Sequence, residues 1–571
     1  NNPEHWIILN ENTENVDCFN IINGASECDD CGICNGQNIN LDDCGICFGN
    51  NEDMDCNGIC FGNAIMDECG ICDSNSDNDN DTCSGCTDSN AENFDEFAIF
   101  DDGNCIYSDH IFLVPNEYIT IQNAIYYANA GDTVEVGPGT YNENIDFLGK
   151  NIILRSQYND ELPINNFIIS GNDSTSTVTI NNIEDDGAAL IGFTIQDGYG
   201  KGVSFEDFIS MAADENAFDS LITQVIRGGG ISIGNANPYL KDLDIKNNTA
   251  RNVGGGIGLV NSNAIIESCK ISNNHILDGD ALGGGGIAIN GGNPTITDVI
   301  ISNNTVGDNM YSLNGGGGIL CGFSFGNNAL QLDLNNAHIS GNIANIGAGI
   351  GALSGIINID HLELVENIGD FGSAISLGEP LGLAISDIIM NITNSTITYN
   401  AGMLGIGMIN SSYLNSINTI FWNNGDIEFS PLPNNNELNI NLNYSATEDI
   451  WNGTENINVN PLFTNPENSD YSLSLLSPCI DAGTPDIDMD GINDITSYAG
   501  LAPDIGNFEY TQACGNILGD INEDGNVNIL DIINIANCIL SNTCDSCSNI
   551  NNDTETNILD IIALVNIILD Y

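Results

Sequence analysis

Gly254-Gly255-Gly256-Ile257 belongs to a series of glycine-rich steps into isoleucine. The others are Gly228-Gly229-Gly230-Ile231, Gly284-Gly285-Gly286-Ile287, Gly316-Gly317-Gly318-Ile319, Gly347-Ala348-Gly349-Ile350 and the looser Gly372-Ser373-Ala374-Ile375. Short β-rich runs accompany these steps and end in asparagine, at Asn248, Asn274, Asn304, Asn342, Asn367, Asn400 and Asn424. The isoleucines recur with a period of roughly 30 residues, and self-similarity at such a period marks a solenoid. One coil cannot bury its apolar side alone and gains a core by stacking on its neighbours. Glycine clusters suit tight corners, where a positive φ or close backbone approach is needed. Asparagine at one register per coil predicts an internal ladder, each amide bonding to the coils above and below. An array of helix pairs fits poorly, because Gly and Asn are weak helix formers and β-branched residues fill the apolar positions. The expected fold class is mainly β, a parallel β-helix.

The chain has 571 residues, enough for several domains, and a formal charge of −72 from 80 acidic residues against 8 Lys plus Arg. Such a surface repels nucleic acid and anionic lipid and makes divalent metal the first partner to consider. All eight basic residues lie between Lys150 and Lys270. No run reaches the roughly 18–20 apolar residues of a membrane span. Starting at Asn1 without a signal-like segment, the chain reads as a processed, secreted form.

Four regions follow from composition. Residues 1–27 form a polar leader whose apolar patch, His5–Leu9, is either a pairing strand or a tether. Residues 28–107 hold 12 of the 20 cysteines, in regularly spaced units such as "DDCGICNG" and "DDCGICFG". No C-x-x-C is followed by His, so covalent haem is excluded. Zinc and a disulfide ladder both fit the spacing, and the acidic repetition favours disulfides, with Cys18 as a further partner. Within this region the Asp/Asn alternation of Asp73–Asp81 suits either a hard cation or a solvated linker. Residues 108–510 hold the solenoid and residues 511–571 a separate C-terminal module.

Several segments resemble known families. "GCTDSNAENFDEFAIFDDGNCIY" (Gly85–Tyr107) resembles a short repeat of secreted marine bacterial proteins, which implies a Cys86–Cys105 bridge and an extracellular setting. Residues 117–155 resemble the opening of pectate-lyase-like right-handed β-helix proteins. Their apolar spacing at Ile121, Ala124, Ile125 and Ala128 predicts a capping helix over Ile119–Ala130. Residues 459–510 resemble the closing segment of secreted bacterial β-helix proteins. Inside it, Asp486, Asp488, Asp490 and Asp494 occupy calcium-loop positions 1, 3, 5 and 9, with Gly491 at 6 and Ser497 in place of an acid at 12.

The C-terminal module carries the sharpest motif. Asp520, Asn522, Asp524, Asn526, Asn528 and Asp531 stand at loop positions 1, 3, 5, 7, 9 and 12, with Gly525 at 6. A second copy of the loop uses Asn549, Asn551, Asp553, Glu555, Asn557 and Asp560, with Thr554 in place of the glycine. Each loop precedes an apolar helix. The pair resembles a type I dockerin, which implies Ca2+ and a cohesin-like protein partner; neighbouring copies of the chain are the other expected partner.

Two catalytic schemes of the resembled fold bear on the chain. A lyase of the resembled fold needs a basic Arg beside Ca2+, for which Arg227 and Arg251 are the candidates. Hydrolases of the fold carry a late Arg-x-Lys contact, and no Arg or Lys follows Lys270. Asp360-His361 faintly resembles a lyase motif, while a strand Asp-His beside a turn is more often structural. The interruption Gly198–Arg227, with helical spacing at Phe205, Phe208, Ile209 and Ala212, places a long excursion in the only basic part of the chain. The reading is thus a non-catalytic, calcium-stabilised extracellular rod. The alternative is a polysaccharide lyase or carbohydrate binder acting through the 198–251 face.

Overall fold

The computed structural model describes all residues except 1–16, 22, 67–71, 74–83, 88–92, 96, 102–109, 182–186, 204–226, 278–281, 308–314, 323–329, 379–386, 433–434, 436, 511–518, 523–525, 542–543, 545–547, 552–555 and 571. The chain divides into two compact units, Asn1–Ser108 and Asp109–Tyr571. The His5–Leu9 patch, most of Asp73–Asp81 and the body of the Gly198–Arg227 excursion lie outside the described residues.

The second unit is a parallel β-helix. Its described strands form an 18-stranded, a 10-stranded and a 4-stranded sheet, and the pairings within them are parallel. The isoleucines after the glycine steps are in register: Ile231 pairs with Ile257, Ile257 with Ile287, then Ile319, Ile350 and Ile375. Ile406 and Phe429 continue the column. Stacked in this way the isoleucines are fully buried, which is the core a single coil cannot form.

The glycines meet two different demands. Gly284 sits at φ +70, where an L side chain is strained. Gly286 has no such φ, but a Cβ there would lie 2.6 Å from the carbonyl oxygen of Gly318 in the next coil. Backbones at this corner approach too closely for any side chain.

The asparagine ladder is continuous. Asn248 Nδ2 donates to Asn274 Oδ1, and the same bond repeats through Asn304, Asn342, Asn367, Asn400 and Asn424 at 2.8–3.0 Å. The backbone N–H of each also donates to the next Oδ1, so every amide points the same way. The residue before each ladder position holds a positive φ, from Asn247 at 55° to Asn423 at 56°, with Gly341 supplying it before Asn342. That left-handed residue turns the chain so the next side chain enters the core. The last amide, Asn424, donates to Glu428, a buried carboxyl.

The predicted capping helix is present as α1 (Ile121–Tyr127), with Ile121, Ala124, Ile125 and Ala128 all buried. Thr120 caps its N-terminus, and Glu143 from the following strand region accepts the N–H groups of Ile121 and Gln122. Lys150 Nζ donates to the carbonyls of Ile125, Tyr126 and Ala128 at 2.6–2.9 Å, closing the other end. At the far end the closing segment folds back onto the last coils, packing Leu473, Cys479 and Ile505 against Ile420 and Ala446.

The first unit is held by cross-links. Cys18–Cys34, Cys31–Cys47, Cys44–Cys60 and Cys56–Cys72 each span 16 residues. The two cysteines of a C-x-x-C pair therefore bond to different neighbours, which resolves the disulfide-or-zinc alternative for these cysteines in favour of the ladder. Cys86 is also disulfide-bonded, while Cys105 lies outside the described residues. Each repeat is pinned by an aspartate. Asp42 Oδ1 accepts the N–H groups of Cys44 and Ile46, and Oδ2 accepts that of Asn51. Asp17, Asp29 and Asp55 do the same in their repeats. The Ile46 amide above all holds Asp42 below the usual carboxylate range.

Candidate functional site

The side of the solenoid singled out by its basic residues carries a cleft of about 670 Å3 over the first strands of the 10-stranded sheet. Its polar lining includes Asn144, Asp146, Ser176, Asn181, Lys201 and Arg227. Lys201 and Arg227 are exposed, and neither pairs with an acid among the described residues. Other cations are already engaged: Arg155 pairs with Glu135, Lys241 with Glu267 and Lys246 with Asp244, while Lys150 caps α1. Asn144 Nδ2 donates to the carbonyls of Thr175 and Ser176, while its buried Oδ1 has no partner among the described residues.

This arrangement can hold an anion. It is poorly furnished for acid–base chemistry, since Asp146 is the one carboxylate in the described lining and glycoside hydrolysis calls for two. Of the two catalytic candidates, Arg227 lines the cleft and Arg251 does not. Asp360 and His361 pair at 2.8 Å. Asp360 also accepts from Thr393 and Asn394 in the next coil, and His361 holds φ 53 within its strand. The Asp360 hydrogen bond raises the His361 pKa.

The closing-segment loop brings carboxylate oxygens of Asp486, Asp488 and Asp494 within 4.8 Å of one another. Asp490 stands outside that trio, its carboxylate accepting from Ile492 N–H. Gly491, at φ +92, donates its N–H to Asp486. Converging hard oxygen donors on a tight glycine turn fit Ca2+.

In the C-terminal module the two loops use equivalent residues in the same way. Asp531, fully buried, accepts from the N–H groups of Ile521, Asn522 and Asn528, and Asp560 from those of Asn551 and Asn557. Asn528 and Asn557 cap the helices α2 (Ile529–Ser541) and α3 (Ile558–Asp570) by accepting from Leu530 and Leu559. Ile535, Ile550 and Leu564 form the module's core, and Asp520 is buried beside it. Asp524, Asp553 and Glu555 lie outside the described residues, as does Gly525. A Cys538–Cys544 disulfide ties the last turn of α2 to the segment after it, a feature the loop-and-helix motif did not signal.

The two helices leave matched apolar positions in solvent. Ile529, Leu530, Ile533 and Leu540 on α2 correspond in the second repeat to Ile558, Leu559, Ile562 and Leu569 on α3, and all eight are 48–86% exposed. None of the described helices is long and apolar enough to cross a membrane.

No family model and no curated protein matches the chain. Among solved structures it is similar to the pectate lyase Pel9A, at 15% identity and TM-score 0.42, covering 71% of this chain and 98% of that one. It is also similar to a pectin methylesterase from carrot, at 10% identity and TM-score 0.28, covering 64% of this chain and 97% of the other. The β-helix assignment rests on the strand registers and the ladder of this chain itself.

Proposed function

We propose that the chain is a secreted, non-catalytic scaffold or adhesion protein. In this reading the solenoid is a calcium-stabilised rod, and the C-terminal helix pair docks to a cohesin-like protein or a neighbouring copy. The carrying observation is the matched set of eight exposed apolar side chains on α2 and α3. Exposed apolar positions repeated at one register on two helices suit a protein partner better than solvent. The buried Asp531 and Asp560 tie each helix to its loop, so Ca2+ in the loops would set how the two stripes are presented. Joined head to tail, such contacts between copies would propagate as a filament. Sizing and thermal melting with Ca2+ and with chelator test this. Indifference of both mass and melting temperature to Ca2+ removes the basis for the reading.

The cleft supports a second reading, a carbohydrate binder for anionic polysaccharide. Its observation is that Lys201 and Arg227, free of acidic partners among the described residues, converge on one cleft in a chain of charge −72. Retention on an anionic polysaccharide gel that disappears in Lys201→Ala/Arg227→Ala supports it. Unsaturated products from uronate polymers with Ca2+ would instead make the chain a lyase.

A further inference from the structure

The disulfide ladder repeats one backbone position, six residues after each pinning aspartate, with different side chains. Asn35, Phe48 and Phe61 donate their N–H groups to the carbonyls of Glu27, Asn40 and Asp53 respectively, at 2.7–2.8 Å. All three hold positive φ, at 56°, 63° and 57°. Asparagine tolerates this conformation, whereas a bulky aromatic there is strained. Burial does not compensate, since Phe48 is 64% and Phe61 66% exposed. Two rings are thus held in water at a position where the Asp17 and Asp29 repeats use asparagine, Asn23 at φ 55° and Asn35 at 56°. Strain of this kind, when observed, points toward function.

The surroundings of Phe61 say what it suits. It walls a groove of about 770 Å3 with Met54, Ile65, Glu52 and Asp53. The Asp55 carboxylate in that wall is taken by backbone N–H groups. Glu52 and Asp53 are exposed, and their carboxylates carry no partner among the described residues. No lysine or arginine occurs anywhere before Lys150. An aromatic face flanked by two free carboxylates, in a region without a single fixed cation, is complementary to a guanidinium or ammonium group. The cation would lie over the ring while pairing with the acids.

We propose that the Phe61 groove, with Glu52 and Asp53, is a docking site for an arginine- or lysine-bearing segment of a partner protein. Phe48 offers a second ring one repeat away. This site is independent of the C-terminal helices and of the solenoid cleft.

Fluorescence anisotropy with a labelled arginine-containing dodecapeptide, full-length protein and near-physiological salt tests the idea. Phe61→Asn places at this position the residue that Asn35 shows to suit the backbone, so the Cys44–Cys60 and Cys56–Cys72 bridges should form as before. Its expected effect is a loss of affinity of about two- to five-fold, the range for a cation over an exposed aromatic ring. The charge-removing pair Glu52→Gln/Asp53→Asn should weaken binding at least as much and does not depend on how Phe61→Asn folds. Unchanged affinity in Phe61→Asn with bridges intact overturns the proposal, leaving only diffuse acidity. Unchanged affinity in the charge-removing pair also overturns it. So does loss of retention on a neutral polysaccharide gel in Phe61→Asn while peptide binding persists, because the ring would then serve a sugar.

Discussion

Replacing Asn304 by alanine removes one rung from the middle of the amide ladder. The side chain is fully buried. Its Nδ2 donates to Ile271 O at 2.9 Å and to Asn342 Oδ1 at 3.0 Å, and its Oδ1 accepts from Asn274 N and Asn274 Nδ2 at 3.0 Å each. Asn342 Oδ1 keeps the backbone N–H of residue 304, and Asn274 Nδ2 keeps Ile245 O. The backbone N–H of Asn274 is left with nothing. At about 1 kcal/mol net per buried bond the loss is ~4 kcal/mol, with the orphaned N–H pushing it upward. Asn303→Gly is the matched control: Asn303 is exposed at φ 56, and glycine already fills the equivalent position before Asn342. It should change stability by less than about 0.5 kcal/mol. Urea denaturation followed by circular dichroism gives the difference. Amide exchange around Asn274 reports whether the coil opens locally, since solenoids need not unfold as one unit. A cost below about 1 kcal/mol with no local gain in exchange would refute the view that the ladder carries stability.

Glu428 gives a pH prediction. Burial raises its carboxyl from the ordinary 4.5 to about 8, so the folded state holds a proton that the unfolded state releases. Its contribution is full below about pH 4.5 and is lost as pH rises toward 8, at most about 5 kcal/mol. Glu428→Gln should therefore melt above the parent at pH 8 and lose that advantage at pH 5; an equal gap at both would contradict the assignment. Gly286→Ala forces a Cβ to 2.6 Å from Gly318 O, so a loss of roughly 1–3 kcal/mol is expected in thermal melts, and an unchanged melt would mean that the corner relaxes freely. Asp486→Asn/Asp494→Asn should leave one fewer Ca2+ per chain in native mass spectra, and an unchanged count would show that the loop binds none.

The solenoid is largely legible in the sequence, because periodicity reports which residues share a register. Ile257 and Ile287, or Asn274 and Asn304, recur for the same reason that they touch. α1 is readable from Ile121, Ala124, Ile125 and Ala128 for a similar reason. Disulfide pairing is not, since cysteine spacing is compatible with many connectivities until the fold brings Cys31 to Cys47. The aspartate pins do leave a trace in the sequence: Asp17, Asp29, Asp42 and Asp55 recur once per repeat, each followed at the same distance by a glycine, Gly24, Gly36, Gly49 and Gly62. At Gly49 a Cβ would lie 2.3 Å from the Asp42 carboxylate, which is why that glycine keeps its place. The cleft is legible only as a basic stretch. That Lys201 and Arg227 face one cavity depends on coils that the intervening residues separate in sequence.

The overlap of the cysteine bridges has a topological consequence. Because the four loops 18–34, 31–47, 44–60 and 56–72 interlock end over end, every peptide bond between Cys18 and Cys72 lies inside at least one closed ring. A single proteolytic nick anywhere in that span leaves the two pieces covalently joined. A second nick does not part the ends either, since each bridged pair of cysteines is reached by more than two stretches of backbone. Without a reductant, separation takes at least three cuts, for example one each in 18–31, 31–34 and 34–44. Under tension the same rings take up load before the backbone can extend, so the segment behaves as a chain of links.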